Sequence, residues 1–354
     1  MKTPLVSILL NNYNYGRFLK RAIDSALEQT YPYVEVVVTD DGSTDCSRDI
    51  IERYGDAIVS VLKPNGGQDS AFNAGFAKSQ GDIVCFFDSD DSFVPHKIQT
   101  IVDTFNQNPE ISWCFHALKL LNHQTGKTVG KTHAFPGQTE DISTYCDFRQ
   151  DMRWGRLPYY PSPTSGLCLR RSLANQILPM QETFVNTHAD CYVRCAAMAA
   201  APGFFLTDEL THQYLHDSNC GTLGDERPVI EEKELVAACL LRANFPEVSL
   251  YANRVFVRAY STFLTFQHEI EPNYQTLVDW YWSMCSPLDK LIIKAATFYR
   301  LRLKPTELDF IEFAPPDQGA PQNQQIQAIA PSSNATTQRL GLASLKSKRL
   351  PSDG

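Results

Sequence analysis

The chain has 354 residues, 43% apolar and 20% charged, the usage of an ordinary soluble protein. Its 32 Lys and Arg against 40 Asp and Glu leave a formal charge of −8, the wrong sign for a face that grips nucleic-acid phosphates. This length buries the core of one large domain plus an appendage, or of two domains, with no need of disulfide or zinc staples.

No apolar run approaches the roughly 20 residues of a bilayer span. The apolar stretch 5–10 runs directly into Asn11-Asn12-Tyr13-Asn14 with no small-residue cleavage site, so a cytoplasmic protein is expected, with peripheral contact to the inner face of a membrane left open. Residues 5–10 form the first strand candidate. Phe18, Leu19, Ala22, Ile23, Ala26 and Leu27 then recur at helical spacing until Tyr31-Pro32. Residues 34–39 are a β-branched second strand, and Ser43 or Asp45 can cap a helix reaching Tyr54. A third strand at 58–62, a Gly-containing loop at 63–67, a small-residue helix at 70–79 and an apolar strand at 83–87 follow. Strand–helix alternation of this kind predicts a parallel sheet with helices on both faces, whose ligands bind beyond the carboxyl ends of the strands.

Residues 111–215 are less regular, with strands expected at 112–121 and 166–169 and helices near 172–178 and from about 188 to 201. Residues 229–304 read as helical, and Trp280-Tyr281-Trp282 reads as a helix-packing cluster. Beyond Phe313 large apolar residues almost vanish before Leu340, and such a segment cannot offset its ordering entropy, so a disordered tail is expected. The ten cysteines contain no Cys-x-x-Cys pair, and Cys191 and Cys195, one helical turn apart, read as structural.

Three strand ends carry polar clusters: Asn11-Asn12-Tyr13-Asn14-Tyr15, Asp40-Asp41-Gly42-Ser43-Thr44-Asp45 and Asp88-Ser89-Asp90-Asp91. Two aspartates separated by one residue can point into one crevice and hold a hard divalent cation, which prefers carboxylate oxygens and substrate phosphates. A helix-capping turn is the competing reading of Asp40-Asp41-Gly42-Ser43. It fits the 88–91 cluster less well, because three adjacent carboxylates repel one another without a cation or solvent between them.

Val6-Ser7-Ile8 with Asn12-Tyr13-Asn14, Gln29-Thr30-Tyr31-Pro32, Asp40-Asp41-Gly42-Ser43-Thr44-Asp45, Asn65-Gly66-Gly67, Asn73-Ala74-Gly75 and Asp88-Ser89-Asp90-Asp91 occur in an order that resembles the family 2 glycosyltransferases. The resemblance is strong over residues 5–98, thinner from 160 to 220, and absent beyond about 225. It implies an α/β GT-A fold, a Rossmann-like parallel or mixed sheet flanked by helices, over residues 1–225. Residues 1–110 would be the nucleotide-binding half and 111–225 the acceptor half, followed by a helical extension at 226–305 and the tail at 306–354.

By the same resemblance, Asn11, Tyr13, Asp41, Asn73, Asp88 and Ser89 would surround the nucleotide. Asp90 would be the principal ligand of Mg2+ or Mn2+, with His216, in the segment Thr211-His212-Gln213-Tyr214-Leu215-His216, approaching the metal or the diphosphate. Asp190 would be the general base, although on residues alone it also reads as a carboxylate complementing a helix N-terminus. Arg170-Arg171 resembles the segment bordering the acceptor site. The implied activity is metal-dependent inverting transfer from a nucleotide-diphosphate sugar, with a UDP-sugar favoured, to a hydroxyl of a carbohydrate or lipid-linked acceptor in cell-surface polysaccharide or glycolipid synthesis. A nucleotidyltransferase would be expected to carry a Gly-rich basic loop in place of residues 11–15. A catalytically inactive sugar-nucleotide-binding module would be expected to lack Asp90 or Asp190. Neither departure is present.

Overall fold

The structure, a computed structural model, describes residues 3–132, 143–158, 163–182, 190–216, 227–265 and 272–303. β1 (Val6–Asn12) is buried along its whole length, which requires a sheet covered on both faces. β2 (Val34–Asp41) and β4 (Ile83–Asp88) flank it in parallel, and β3 (Val59–Lys63) continues the sheet beyond β2. α1 (Gly16–Leu27), α2 (Ser47–Glu52) and α3 (Gln68–Lys78) are the crossovers between them.

Alternation along these strands divides two cores. Ile8, Leu10, Val36, Val38, Cys85 and Phe87 face one side, with Leu19 and Ile23 of α1. Leu9, Val37, Val84 and Phe86 face the other, with Phe72 of α3. α3 lies very close to the sheet, since a Cβ on Gly75 would stand 2.7 Å from Thr39 Oγ1.

After β4 the sheet becomes mixed. β5 (Ser92–Phe93), α4 (Lys97–Gln107), β6 (Trp113–Asn122), β7 (Thr128–Lys131), β8 (Thr144–Cys146), α5 (Arg149–Arg153), β9 (Leu167–Arg170), α6 (Arg171–Ile177), α7 (Asp190–Ala200) and β10 (Gly203–Leu215) follow in the chain. β9 runs antiparallel between β4 and β6, and β10 runs parallel to β6. The resulting order is β3-β2-β1-β4-β9-β6-β10-β5, with β7 beside β6 and β8 beside β10.

β10 and α4 are absent from the sequence reading. In β10 the register against β6 shifts between Leu206 and Glu209 and again before Thr211, which destroys the period of two that marks a strand. In α4 the buried Lys97 stands on the same stripe as Ile98, Ile101 and Phe105 and interrupts its apolar pattern.

α8 (Arg227–Asn244), α9 (Ser249–Thr265), α10 (Pro272–Ser283) and α11 (Pro287–Leu303) form the helical extension. Leu235, Leu241, Phe256 and Tyr281 are buried in the same cluster as Leu9, Phe86 and Trp113, so these helices thicken one face of the sheet. Tyr281 stacks on Phe256 with ring centres 3.9 Å apart, while Trp280 and Trp282 pack at the margin, so the aromatic triplet is a packing element. The expected tail at 306–354 lies outside the described residues.

Candidate active site

The loops after β1 and β2 are stitched together. Asn12 Nδ2 donates to Asp40 Oδ2 at 3.0 Å and to Ser43 Oγ at 3.2 Å, and the Asn14 amide, at a residue with φ 57°, donates to Ser43 Oγ at 2.9 Å. Asp40 also accepts from Arg48 Nε at 3.0 Å. Asp45 accepts from the Gly16 amide at 2.8 Å and from the Ser47 amide at 2.9 Å, holding the turn that leads through Cys46 into α2. For Asp40 and Asp45 the capping-turn reading therefore describes what the side chains do.

Asp41 faces the other way. Its carboxylate accepts from Lys63 Nζ at 2.6 Å, the Gly66 amide at 3.0 Å, the Gly67 amide at 2.8 Å and Asn65 Nδ2 at 3.2 Å. Gly42 makes this approach possible, because it sits at φ +80° and a Cβ there would lie 2.5 Å from the Asn65 nitrogen. Asp41 thus shapes the 63–67 loop at the carboxyl edge of the sheet.

The acidic centre is at the end of β4. Burial pushes the Asp88 carboxyl up to about 7, and the charges of Asp90 and Asp190 push in the same direction. Asp190 opens α7, about a hundred residues further along the chain, so its influence on Asp88 places the two in one charged environment. The Asp88 amide donates to Ser165 Oγ at 3.1 Å, and that hydroxyl donates to Asp88 Oδ2 at 3.1 Å. Asp91 is fully buried, and burial followed by Asp90 and Asp88 raises it well above the carboxylate range. Ser89 is buried in the same turn.

Asp90 Oδ2 lies 3.2 Å from His216 Nε2. The imidazole is stacked on Phe18 at 4.5 Å between ring centres, which fixes its plane. Arg21 Nη2 donates to the Asp90 carbonyl at 2.7 Å while its guanidinium lies 3.5 Å from the centre of the Tyr214 ring. At Asp190, Arg194 Nε donates to the backbone carbonyl at 3.0 Å and Nη2 stands 3.7 Å from the carboxylate. The helix-start role read from the residues and the position beside Asp88 therefore coexist.

Asn11 pairs in register with Asp88 on one side and Thr39 on the other. Its buried amide has no hydrogen-bond partner among the described residues, a polar group left for something else to satisfy. Tyr13, directly after β1, is 46% exposed. Asn73 is spent on the backbone: Nδ2 donates to the Met180 carbonyl at 2.8 Å and Oδ1 accepts from the Met180 amide at 2.7 Å, so it fastens the 178–182 turn to α3.

Arg170 and Arg171 lie away from these carboxylates. Arg171 Nε donates to the Gly81 carbonyl at 2.7 Å and Arg170 Nε to the Ile111 carbonyl at 2.7 Å, contacts at the amino end of β4. The placement beside an acceptor is therefore corrected: both guanidinium groups secure backbone carbonyls at the opposite sheet edge.

Sequence reasoning missed Ser165, Arg21, Arg194 and Lys97. Lys97 is fully buried, donates to the Ser165 carbonyl at 2.8 Å and is pushed down to about 8 by burial. Its position on an apolar helical stripe was the available signal. Arg21 and Ser165 lie 69 and 77 residues from their acidic partners, and no local pattern announces them.

Among the described residues no three His, Cys, Asp or Glu side chains are gathered as a ready-made metal cage. Mg2+ or Mn2+ needs only one or two carboxylates when substrate phosphates and water complete its shell. The paired Asp90 and His216 and the charge-crowded Asp88 fit such an ion. No described helix is long and apolar enough to cross a membrane.

A mixed sheet with helices on both faces and acidic residues converging at its carboxyl edge defines a GT-A-like α/β enzyme. A crystal structure of S. aureus TarS 1-349 in complex with UDP-GlcNAc shares this fold, with TM-score 0.56 and 16% identity over 83% of this chain and 86% of that one. Residues 7–173 match the description Glycosyl transferase family 2, and the chain belongs to that family. An uncharacterized glycosyltransferase of Nostoc sp. is 36% identical over 220 residues, 60% of this chain and 66% of that protein. An uncharacterized glycosyltransferase of Rickettsia typhi is 40% identical over 105 residues, 30% of this chain and 33% of that protein. The chain thus spans about two thirds of the length of the first relative and one third of the second.

Proposed function

We infer that the protein transfers a glycosyl group from a UDP-sugar to a hydroxyl of a carbohydrate or lipid-linked acceptor, with inversion at the anomeric carbon, at the cytoplasmic side of polysaccharide or glycolipid synthesis. The observation that carries this reading is that Asp190, at the start of α7, shares one charged environment with Asp88 and Asp90 in the turn after β4. The UDP-GlcNAc bound by the TarS structure of like fold supports the donor class.

Tyr13, with its exposed ring, stacks on the base, and the unsatisfied amide of Asn11 meets the nucleoside. Asp41 acts through the 63–67 loop whose backbone it holds. Asp88 and Ser89 face the ribose. Asp90 and His216 would hold a divalent cation, Mg2+ or Mn2+, which would supply positive charge against the leaving diphosphate. Asp190 accepts the proton of the acceptor hydroxyl as its oxygen attacks the anomeric carbon opposite the leaving group, and Arg194 keeps that carboxylate in place.

The test is UDP release and product formation across a panel of UDP-sugars with Mn2+ or Mg2+. Asp190→Asn is expected to lower kcat by about 10²–10⁴-fold while donor binding persists. Asp90→Ala is expected to abolish metal-dependent transfer. Full activity in either variant contradicts the role given to that residue, and an α-linked product from an α-linked donor contradicts inversion.

A further inference from the structure

Lys97, the first residue of α4, is fully buried on a stripe whose other members are Ile98, Ile101 and Phe105. Taking an ammonium out of water costs stability that a methionine of similar length would not cost. Its Nζ donates to the Ser165 carbonyl at 2.8 Å and to Thr211 Oγ1 at 3.2 Å, and stands 3.2 Å from the centre of the Phe93 ring. A carbonyl, a hydroxyl and a ring face match the three N–H donors of an ammonium. They come from three segments: the buried turn Thr164–Gly166, β10 and β5. Thr211 and Phe93 are themselves paired in register between β10 and β5. One side chain therefore joins α4 to everything packed behind the acidic turn.

Ser165 gives this staple a direction. Its Oγ accepts from the Asp88 amide and donates to Asp88 Oδ2, each at 3.1 Å. The backbone of Ser165 is thus held by Lys97, while its side chain holds the acid that ends β4. Asp88 has need of a fixed partner: burial, then the charges of Asp90 and Asp190, press on its carboxyl, and like charges drive carboxylates apart. The fold can do without the ammonium, because Thr211 Oγ1 itself donates to the Ser165 carbonyl at 3.2 Å. Removing the charge therefore leaves no orphaned carbonyl behind.

We propose that Lys97 is a positioning residue for the sugar-nucleotide donor: through Ser165 it fixes the Asp88 carboxylate on the ribose side of the site. Being fully buried, it acts without touching substrate. This role rests on the glycosyl-transfer reading of the site.

The test is a double-mutant cycle of Lys97→Met and Ser165→Ala, read by initial rates of UDP release with Mn2+ and the UDP-sugar that wild type accepts. Each single variant is expected to raise KM for the donor about tenfold and to leave KM for the acceptor unchanged. The double variant is expected to be no worse than the poorer single one. Lys97→Met is expected to melt at or above the wild-type temperature. Losses that multiply in the double variant would separate Lys97 from Ser165 and overturn the proposal. Wild-type donor kinetics in Lys97→Met would overturn it too. A fall in kcat with both KM values unchanged, or melting well below wild type, would assign the lysine to stability alone and have the same effect. Crystal structures of wild type and Lys97→Met without nucleotide examine the placement apart from any reaction. The variant is expected to have lost the paired Ser165–Asp88 hydrogen bonds, and an intact pair overturns the proposal. Wild type that releases UDP from no donor contradicts the glycosyl-transfer reading, and those two crystal structures then decide whether Lys97 places Asp88.

Discussion

Asp40 and Asp41 are adjacent and chemically identical, yet they do different work. The pleat sends Asp40 to the face of Val38 and Arg48, and Asp41 to the face of Thr39 and the 63–67 loop. A carboxylate accepting two backbone amides and a lysine organises a loop, and its charge is the acceptor that makes those contacts strong. Asp41→Asn keeps the shape but loses the charge and two acceptor directions, and one amide nitrogen then opposes the Gly66 and Gly67 donors. The expected result is an increase of about tenfold in KM for the sugar nucleotide with kcat changed far less, read by initial rates at saturating acceptor. An equal loss in kcat would move Asp41 into the chemical step. The two motif aspartates were legible as a pair, because residue type and position at a strand end are local facts. Their division of labour needed the partner loop and Arg48, which only the folded chain supplies.

At the scale of elements, β1 and β4 were legible because each is an apolar run closed by turn residues, β2 because it is β-branched, and α1 because its stripe repeats at helical spacing. β10 was illegible for an equally physical reason. It pairs with β6 in one register up to Leu206 and in another from Thr211, and the irregularity carries Thr207, Asp208 and Glu209 out of any strict alternation. That strand delivers His216 to Asp90, so His216 was singled out by resemblance while the element that aims it went unread.

β10 begins at Gly203 for a steric reason. A Cβ there would stand 1.9 Å from Cδ2 of the buried Trp113, whose Nε1 donates to the Ala201 carbonyl at 2.7 Å. Gly203→Ala therefore has to displace an indole from the core. It is expected to cost about 1–3 kcal/mol or more, with a lower urea midpoint and an unchanged m-value. A variant as stable as wild type would show that β10 is not packed on Trp113 in this way.

At the scale of the whole molecule, the helical extension is joined to the sheet by a shared apolar core and is itself locked by a polar cluster. Arg242 of α8 donates to Asn253 Oδ1 at 2.7 Å and to Asp289 Oδ2 at 2.7 Å, and Asn253 Nδ2 donates to Asp289 Oδ1 at 2.9 Å. Tyr281 Oη donates to the same Asn253 oxygen at 2.8 Å, so one cluster ties α8, α9, α10 and α11 together.

Although partial burial opposes it, hydrogen bonds from Ser286, Asn253 and Arg242 hold the Asp289 carboxyl well below its ordinary value of 3.8. A folded-state value below the unfolded one means that the group stabilises the protein above pH 3.8 and loses that contribution as pH falls through the folded value. Asp289→Asn is expected to cost about 2 kcal/mol at neutral pH. The gap to wild type should hold down to about pH 4 and shrink below it, as read from urea midpoints against pH. A gap that stayed constant into strong acid would remove the charged form of Asp289 from the account. The extension itself was legible as helical, but its fusion with the catalytic core was not. Leu235, Phe256 and Tyr281 belong to one apolar cluster with Leu9 and Phe86, more than a hundred residues away in sequence.

The central claim is that Asp88, Asp90 and Asp190 address one bound sugar nucleotide. A crystal structure with a UDP-sugar and Mn2+ measures this most directly. The account predicts an anomalous manganese peak on Asp90 and His216, the uracil against Tyr13, and the Asp190 carboxylate on the side of the anomeric carbon opposite the diphosphate. Nucleotide density elsewhere on the molecule, or an Asp190 that faces away from the sugar, would contradict it.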